Sequence, residues 1–89
     1  MQHNTKVLTI KNAVGNILRK LRKNKNISLN KLALEYDIDK GTLSKLERGI
    51  YDCRISTAWK IAEANGIKFS DFAKMLEDEL GSDFTFIDI

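Results

Sequence analysis

The sequence predicts an all-α domain of five short helices. Three observations predict it. Apolar residues recur at i, i+3, i+4 and i+7, the spacing of helices with one buried face. Serine, aspartate and glycine punctuate those stripes where helices start and stop. The 89 residues include no proline and a single cysteine, so no internal disulfide frames the fold and an apolar core must hold it. The length fits one small domain.

Residues 1–12 are expected as a polar lead-in, with Val7-Leu8-Thr9-Ile10 alternating as a short strand or a frayed segment would. Val14, Ile17, Leu18 and Leu21 form the first helical stripe, with Arg19, Lys20, Arg22 and Lys23 largely off it. That helix should fade in Asn24-Lys25-Asn26. Ser28 is an N-cap candidate, because its hydroxyl can accept a free backbone N–H of the next turn. Leu29, Leu32, Ala33 and Tyr36 follow at helical spacing, and Asp37-Ile38-Asp39 breaks the pattern. Asp39 can cap a third helix with Leu43 and Leu46 inward, ended by Gly49. After a loop at 50–55, Ser56 is expected to cap a fourth helix, with Ala58, Ile61 and Ala62 inward and Trp59 partly covering the core. Asn65-Gly66-Ile67 reads as a glycine-terminated helix end. Ser70 is expected to cap a fifth helix carrying Phe72, Ala73, Leu76 and Leu80, closed by Gly81. The tail, Phe84-Thr85-Phe86-Ile87-Asp88-Ile89, is rich in strand formers. The division is therefore lead-in 1–12, domain 13–80 and tail 81–89, the last either a short C-terminal strand or an unstructured end.

Charge is unevenly placed. Residues 1–60 carry 13 basic and 5 acidic side chains, whereas residues 61–89 carry 2 basic and 7 acidic. A basic working face could meet a polyanion such as nucleic acid; a solvated surface of uneven charge is the plainer reading. Ser28 to Gly49 reads as helix, three-residue turn, helix, with Ile38 anchoring the turn. The outer positions of the second helix are Lys40, Gly41, Ser44, Lys45 and Arg48, with Thr42 at the margin; none is acidic and three are basic. Such a helix fits the major groove of B-DNA, about 12 Å wide. An ordinary helical hairpin with a solvated basic edge would have the same pattern.

At this point the chain resembles the phage-repressor/Cro-like helix-turn-helix proteins, the XRE family. The resemblance runs from about Val14 to Leu76. It rests on Leu21-Arg22, Ser28-Leu29-Asn30-Lys31-Leu32-Ala33, Gly41-Thr42-Leu43-Ser44-Lys45-Leu46-Glu47-Arg48-Gly49, Ile61-Ala62 and Gly66-Ile67. It implies a five-helix, lambda-repressor-like domain with Asp39–Arg48 as the recognition helix. It implies that Lys40, Gly41, Ser44 and Lys45 face base edges, and that Ser28 and the start of the second helix, Asn30 and Lys31, hold a phosphate. It also implies an ion pair between Arg22 and Glu47 that ties the first helix to the end of the recognition helix. Leu29 departs from the family pattern, where a polar residue is common; Asp37 stands at the usual turn glycine, and Cys53 at a frequent proline.

The function expected is that of a sequence-specific, DNA-binding transcriptional regulator acting as a homodimer in the cytoplasm. Arg22, Lys23, Lys25, Lys31, Arg48 and Arg54 are the phosphate-neutralising candidates, which supply affinity without sequence choice. Choice falls to Lys40, Thr42, Ser44 and Lys45, with Gly41 either admitting close backbone approach or merely weakening the helix. One such domain buries little DNA, so a two-fold dimer is expected. Its interface is placed on Phe72, Met75 and Leu76 of the fifth helix and Phe84, Phe86 and Ile87 of the tail. The alternative is a protein-interaction module, such as the antidote half of a toxin–antitoxin pair, with a toxin or another regulator as partner.

No enzyme is expected. His3 and Cys53 are the sole residues of their kinds and lie far apart in sequence, a poor basis for a nucleophile–base pair. No zinc-ligand spacing or phosphate-cradling glycine motif occurs, so neither metal nor cofactor is expected. Glu77, Asp78 and Glu79 fit a solvated helix face. No apolar run approaches the roughly 20 residues of a membrane span, and Met1-Gln2-His3-Asn4 does not begin an apolar signal region.

Overall fold

The computed structural model describes residues 2–87. The described residues form five helices: α1 (Gln2–Lys25), α2 (Leu29–Tyr36), α3 (Lys40–Glu47), α4 (Ile55–Ala64) and α5 (Phe69–Leu80). The 24-residue α1 is the spine, about 36 Å long at 1.5 Å per residue. Helices α3 and α5 pack on it, α2 packs on α3 and α4, and α4 packs on α5.

The apolar stripes meet in one core. Ile17 and Leu18 of α1, Leu32 and Tyr36 of α2, Leu43 of α3 and Ile61 of α4 are its largest fully buried side chains, and Phe72 of α5 closes it. Tyr36 buries a hydroxyl as well as a ring. That hydroxyl accepts a hydrogen bond from Asn65 Nδ2 at 3.0 Å, which satisfies the buried phenol. Burial pushes the phenol pKa up, with the Asn65 hydrogen bond opposing it.

Two expected caps form and two do not. Ser28 Oγ accepts from Lys31 N–H, and Asp39 Oδ2 accepts from Thr42 N–H, each at 3.2 Å. Helix α4 instead begins at Ile55, one residue before Ser56, with Arg54 in the cap position. Helix α5 begins at Phe69, before Ser70, and Asp71 Oδ2 accepts from Lys68 N–H at 3.0 Å. A carboxylate in the first turn also complements the helix dipole.

The lead-in expected at 1–12 is instead the first half of α1 from Gln2 onward. Val7–Ile10 is helical, and Thr9 Oγ1 donates to the carbonyl of Thr5, one turn back. Ile10 packs against the core, which gives this stretch a tertiary reason to be helical. Nor is there a strand in the tail among the described residues: after Gly81, at φ +89°, residues 81–87 form turns and bends. A strand needs an edge to pair with, and the neighbouring chain is helix. Lys6 Nζ donates to the Thr85 carbonyl instead. Asp88 and Ile89 lie outside the described residues.

The turn between α2 and α3 carries a local strain. Asp37 occupies the left-handed region at φ 54°, ψ 48°, a conformation in which glycine has no Cβ penalty. Its carboxylate sits at a helix C-terminus, where negative charge is unfavourable. It is 3.8 Å from Lys60 Nζ and 95% exposed, so that pair contributes little. Asp37→Gly is therefore expected to raise the unfolding free energy by about 0.5–1 kcal/mol, checked by urea denaturation; a destabilised variant would contradict this account.

Candidate nucleic-acid interface

Helix α3 is short and is held from both ends and below. Leu43 and Leu46 point into the core, and Ile38 packs against it from the preceding turn. At its N-terminus the Asp39 cap fixes the first turn. At its C-terminus the chain reverses at Gly49, φ +74°, and Ile50 N–H donates to the Lys45 carbonyl at 2.9 Å. What remains outward is Lys40 and Gly41, exposed, and Thr42, Ser44 and Lys45, half-buried; Arg48 follows, exposed.

The single acidic residue of α3 is turned inward. The Glu47 side chain is 7% exposed and meets Arg22 of α1 in a two-pronged pair, Nε to Oε2 at 2.8 Å and Nη2 to Oε1 at 3.0 Å. The hydrogen bonds to Glu47 raise the Arg22 pKa, so the guanidinium stays charged. Arg19 adds a donor to the Glu47 backbone carbonyl and a second to Asn16 Oδ1. Gly15 lies directly beneath: a Cβ built there would sit 2.5 Å from the Glu47 carbonyl oxygen. Helix α1 thus grips the last turn of α3 through an ion pair, a main-chain hydrogen bond and a backbone-to-backbone approach. Arg19 and Gly15 are not among the residues expected at the site. The signal for Gly15 was there, because a glycine inside a helix needs a packing reason to offset its cost.

The phosphate candidates divide by environment. Lys23, Asn30, Lys31, Arg48 and Arg54 are exposed. The Ser28 hydroxyl accepts the α2 capping bond, and its own proton remains a donor. Two of the donors of Arg22 are committed to Glu47. Lys25 lies 3.4 Å from Glu35, which offsets its charge. Leu29, the apolar departure from the family pattern, is half-buried and packs on the core, a role a polar residue would fill poorly.

Tyr51, not among the residues expected at the site, stands beside the reading face. Its hydroxyl accepts a hydrogen bond from Lys45 Nζ at 3.1 Å. It lines an open cleft of about 460 Å³ with Thr42, Leu46, Asp52, Arg54 and Thr57. Cys53 lies next to that cleft, and burial lifts its thiol to about 11. The thiol is protonated at neutral pH and so is a poor nucleophile.

On the opposite side, Phe72 is 2% exposed. It belongs to the core and cannot serve the intermolecular surface expected of it. Met75, Leu76 and Phe84 are half-buried, and Phe86 and Ile87 are exposed. Glu79 of α5 accepts from Lys20 Nζ at 2.9 Å and Asn16 Nδ2 at 3.2 Å, and both bonds hold its carboxyl below the ordinary value. Among the described residues no group of three or more His, Cys, Asp or Glu could hold a metal ion. No helix there is long and apolar enough to cross a membrane.

Comparison with known proteins places this arrangement. A helix-turn-helix family model, HTH_3, matches residues 18–72. The HTH-type transcriptional regulator SlrR of Bacillus subtilis is 47% identical over 38 residues, which are 43% of this chain and 25% of SlrR. The crystal structure of an HTH_3 family transcriptional regulator from Vibrio cholerae is 34% identical with a TM-score of 0.69, over 76% of this chain and 38% of that one. The chain thus spans well under half the length of either protein. The clp gene regulator ClgR from C. glutamicum is 26% identical with a TM-score of 0.70, over 83% of this chain and 96% of that one. With its two central helices and their turn inside the matched span, the chain belongs to the helix-turn-helix family HTH_3, the phage-repressor/Cro-like family of transcriptional regulators.

Proposed function

We propose that the chain binds duplex DNA in a sequence-dependent manner with α3 in the major groove, and that it regulates transcription in the cytoplasm as a homodimer. The observation that carries this is the sorting of charge on α3: Lys40, Ser44 and Lys45 face outward, while Glu47 is buried and paired. A solvated helix face has no need to bury its one carboxylate; a face that must meet phosphates does, since an outward carboxylate would be repelled. Lys23, Asn30, Lys31, Arg48 and Arg54 supply backbone contacts, and Lys40, Thr42, Ser44 and Lys45 supply contacts to base edges.

Lys45→Ala is expected to weaken binding to a duplex selected from a random pool by about 1–3 kcal/mol, with little change on random duplex. Equal losses on both, read by titration at fixed salt, would move Lys45 to the phosphate set. The dimer is placed on the outer edge of α5, Met75 and Leu76, with Phe84, Phe86 and Ile87 of the tail. Sedimentation of the full chain and of a chain ending at residue 81 checks it: the full chain should sediment as a dimer and the shortened one as a monomer. Two dimers would remove the tail from the interface, and two monomers would refute the dimer itself.

A further inference from the structure

We infer that Tyr51, in the loop after α3, is a positioning residue for base reading: it holds the Lys45 ammonium in place at the groove-facing edge of α3. The inference rests on the DNA-binding reading above and adds a residue to it. Lysine is a flexible reader. Its four-carbon stem has many rotamers, and an untethered ammonium must lose that freedom on the DNA. Here the tether is already in place. Lys45 Nζ donates to Tyr51 Oη at 3.1 Å and stands 5.0 Å from the centre of the same ring.

The loop that brings Tyr51 there is itself fixed to Lys45. The Ile50 and Tyr51 N–H groups both point to the Lys45 carbonyl, at 2.9 and 3.4 Å. Gly49, at φ +74°, supplies the reversal that makes this possible. Main chain and side chain of Lys45 are thus gripped by one short segment. An ammonium has three protons and no lone pair. With one proton on Tyr51, two remain, which suits a contact shared between guanine O6 and N7. The tyrosine hydroxyl, having accepted, keeps its own proton to donate. Tyr51 is 43% exposed, so this pair is open to a partner and is not a core contact. The effect is pre-organisation: ordering that would otherwise be lost on binding is already present in the free protein.

The test is Tyr51→Phe, which keeps the ring and removes the hydroxyl, measured in the full chain on the selected duplex and on random duplex. The expected result is about a fivefold loss on the selected duplex and none on random duplex. The dependence of binding on salt should be unchanged, because no charge is removed. In a Lys45→Ala background the same substitution should have no further effect, since its target is gone. A loss of equal size on both duplexes, an unchanged affinity for the selected one, or an undiminished effect in the Lys45→Ala background would each overturn the assignment. A parent protein that binds selectively while Tyr51→Phe matches it sinks this inference alone. A parent protein that shows no salt-dependent duplex binding sinks the DNA-binding reading, and the inference with it.

Discussion

Gly15→Ala lowers the unfolding free energy by about 2–3 kcal/mol, although at most helix-interior positions the same change is favourable by up to about 1 kcal/mol. The sign reverses because of what the new methyl group meets. An ideal Cβ at Gly15 lies 2.5 Å from the Glu47 carbonyl oxygen and 3.2 Å from both the Glu47 carbonyl carbon and the Leu46 carbonyl oxygen. All three atoms are main chain, so none can swing aside by a rotamer change. Either α1 and α3 move apart or the last turn of α3 deforms. Both routes loosen Leu43 and Leu46 in the core, and cores respond to such overpacking with losses of this order. The outward edge of α3 shifts with them, so selectivity between duplexes should fall in the folded fraction too. Gly41→Ala is the control. Gly41 is exposed, and the nearest atom to a Cβ there is the Asp39 carboxylate at 3.1 Å. Urea unfolding followed by circular dichroism should rank Gly15→Ala well below Gly41→Ala; the reverse order would mean that the helix contact is softer than its geometry implies.

The contrast between these two glycines shows what was legible in the sequence. Core positions were, because they follow from spacing alone: Ile17, Leu18, Leu32, Leu43 and Ile61 fall on the stripes and are buried. The Ser28 and Asp39 caps were legible because a cap is a local hydrogen bond within three residues. Starts at Ile55 and Phe69 were not, because there the helix begins without a side-chain oxygen in the cap position. The first half of α1 was hidden for a different reason. Its apolar residues are few, and its helicity depends on being continuous with a well-packed segment and on Ile10 reaching the core. Phe72 was placed at an interface because an apolar stripe does not say whether it meets its own chain or another. Contacts between distant parts of the chain leave the least trace. Tyr51 beside Lys45 requires the loop path, and the Arg22–Glu47 pair, 25 residues apart, was legible through the family resemblance and not through any local pattern; it forms as expected.

That ion pair supports a second large effect. Arg22→Ala should destabilise the fold by about 3 kcal/mol, at the lower end of what breaking a buried pair costs. The reason is the carboxylate left behind: the Glu47 side chain is 7% exposed, and without Arg22 it loses the cation hydrogen-bonded to both its oxygens. The lower end applies because Arg22 itself is 31% exposed, so water can enter where it stood. Most of the loss is therefore a penalty for an orphaned charge and not the net value of the pair. It follows that removing both charges should be far milder than removing one. Arg22→Met combined with Glu47→Leu is expected to recover most of the lost stability, because an apolar pair of similar volume avoids desolvating two ions. A double variant as unstable as Arg22→Ala would show that the two-pronged geometry itself holds α3 to α1. The double variant also separates the two roles proposed for Arg22. If Arg22 serves α3 alone, the folded double variant binds DNA with the parent's salt dependence. If its remaining donors also reach a phosphate, the salt slope falls by about one unit, as it does for each neutralised phosphate that is lost.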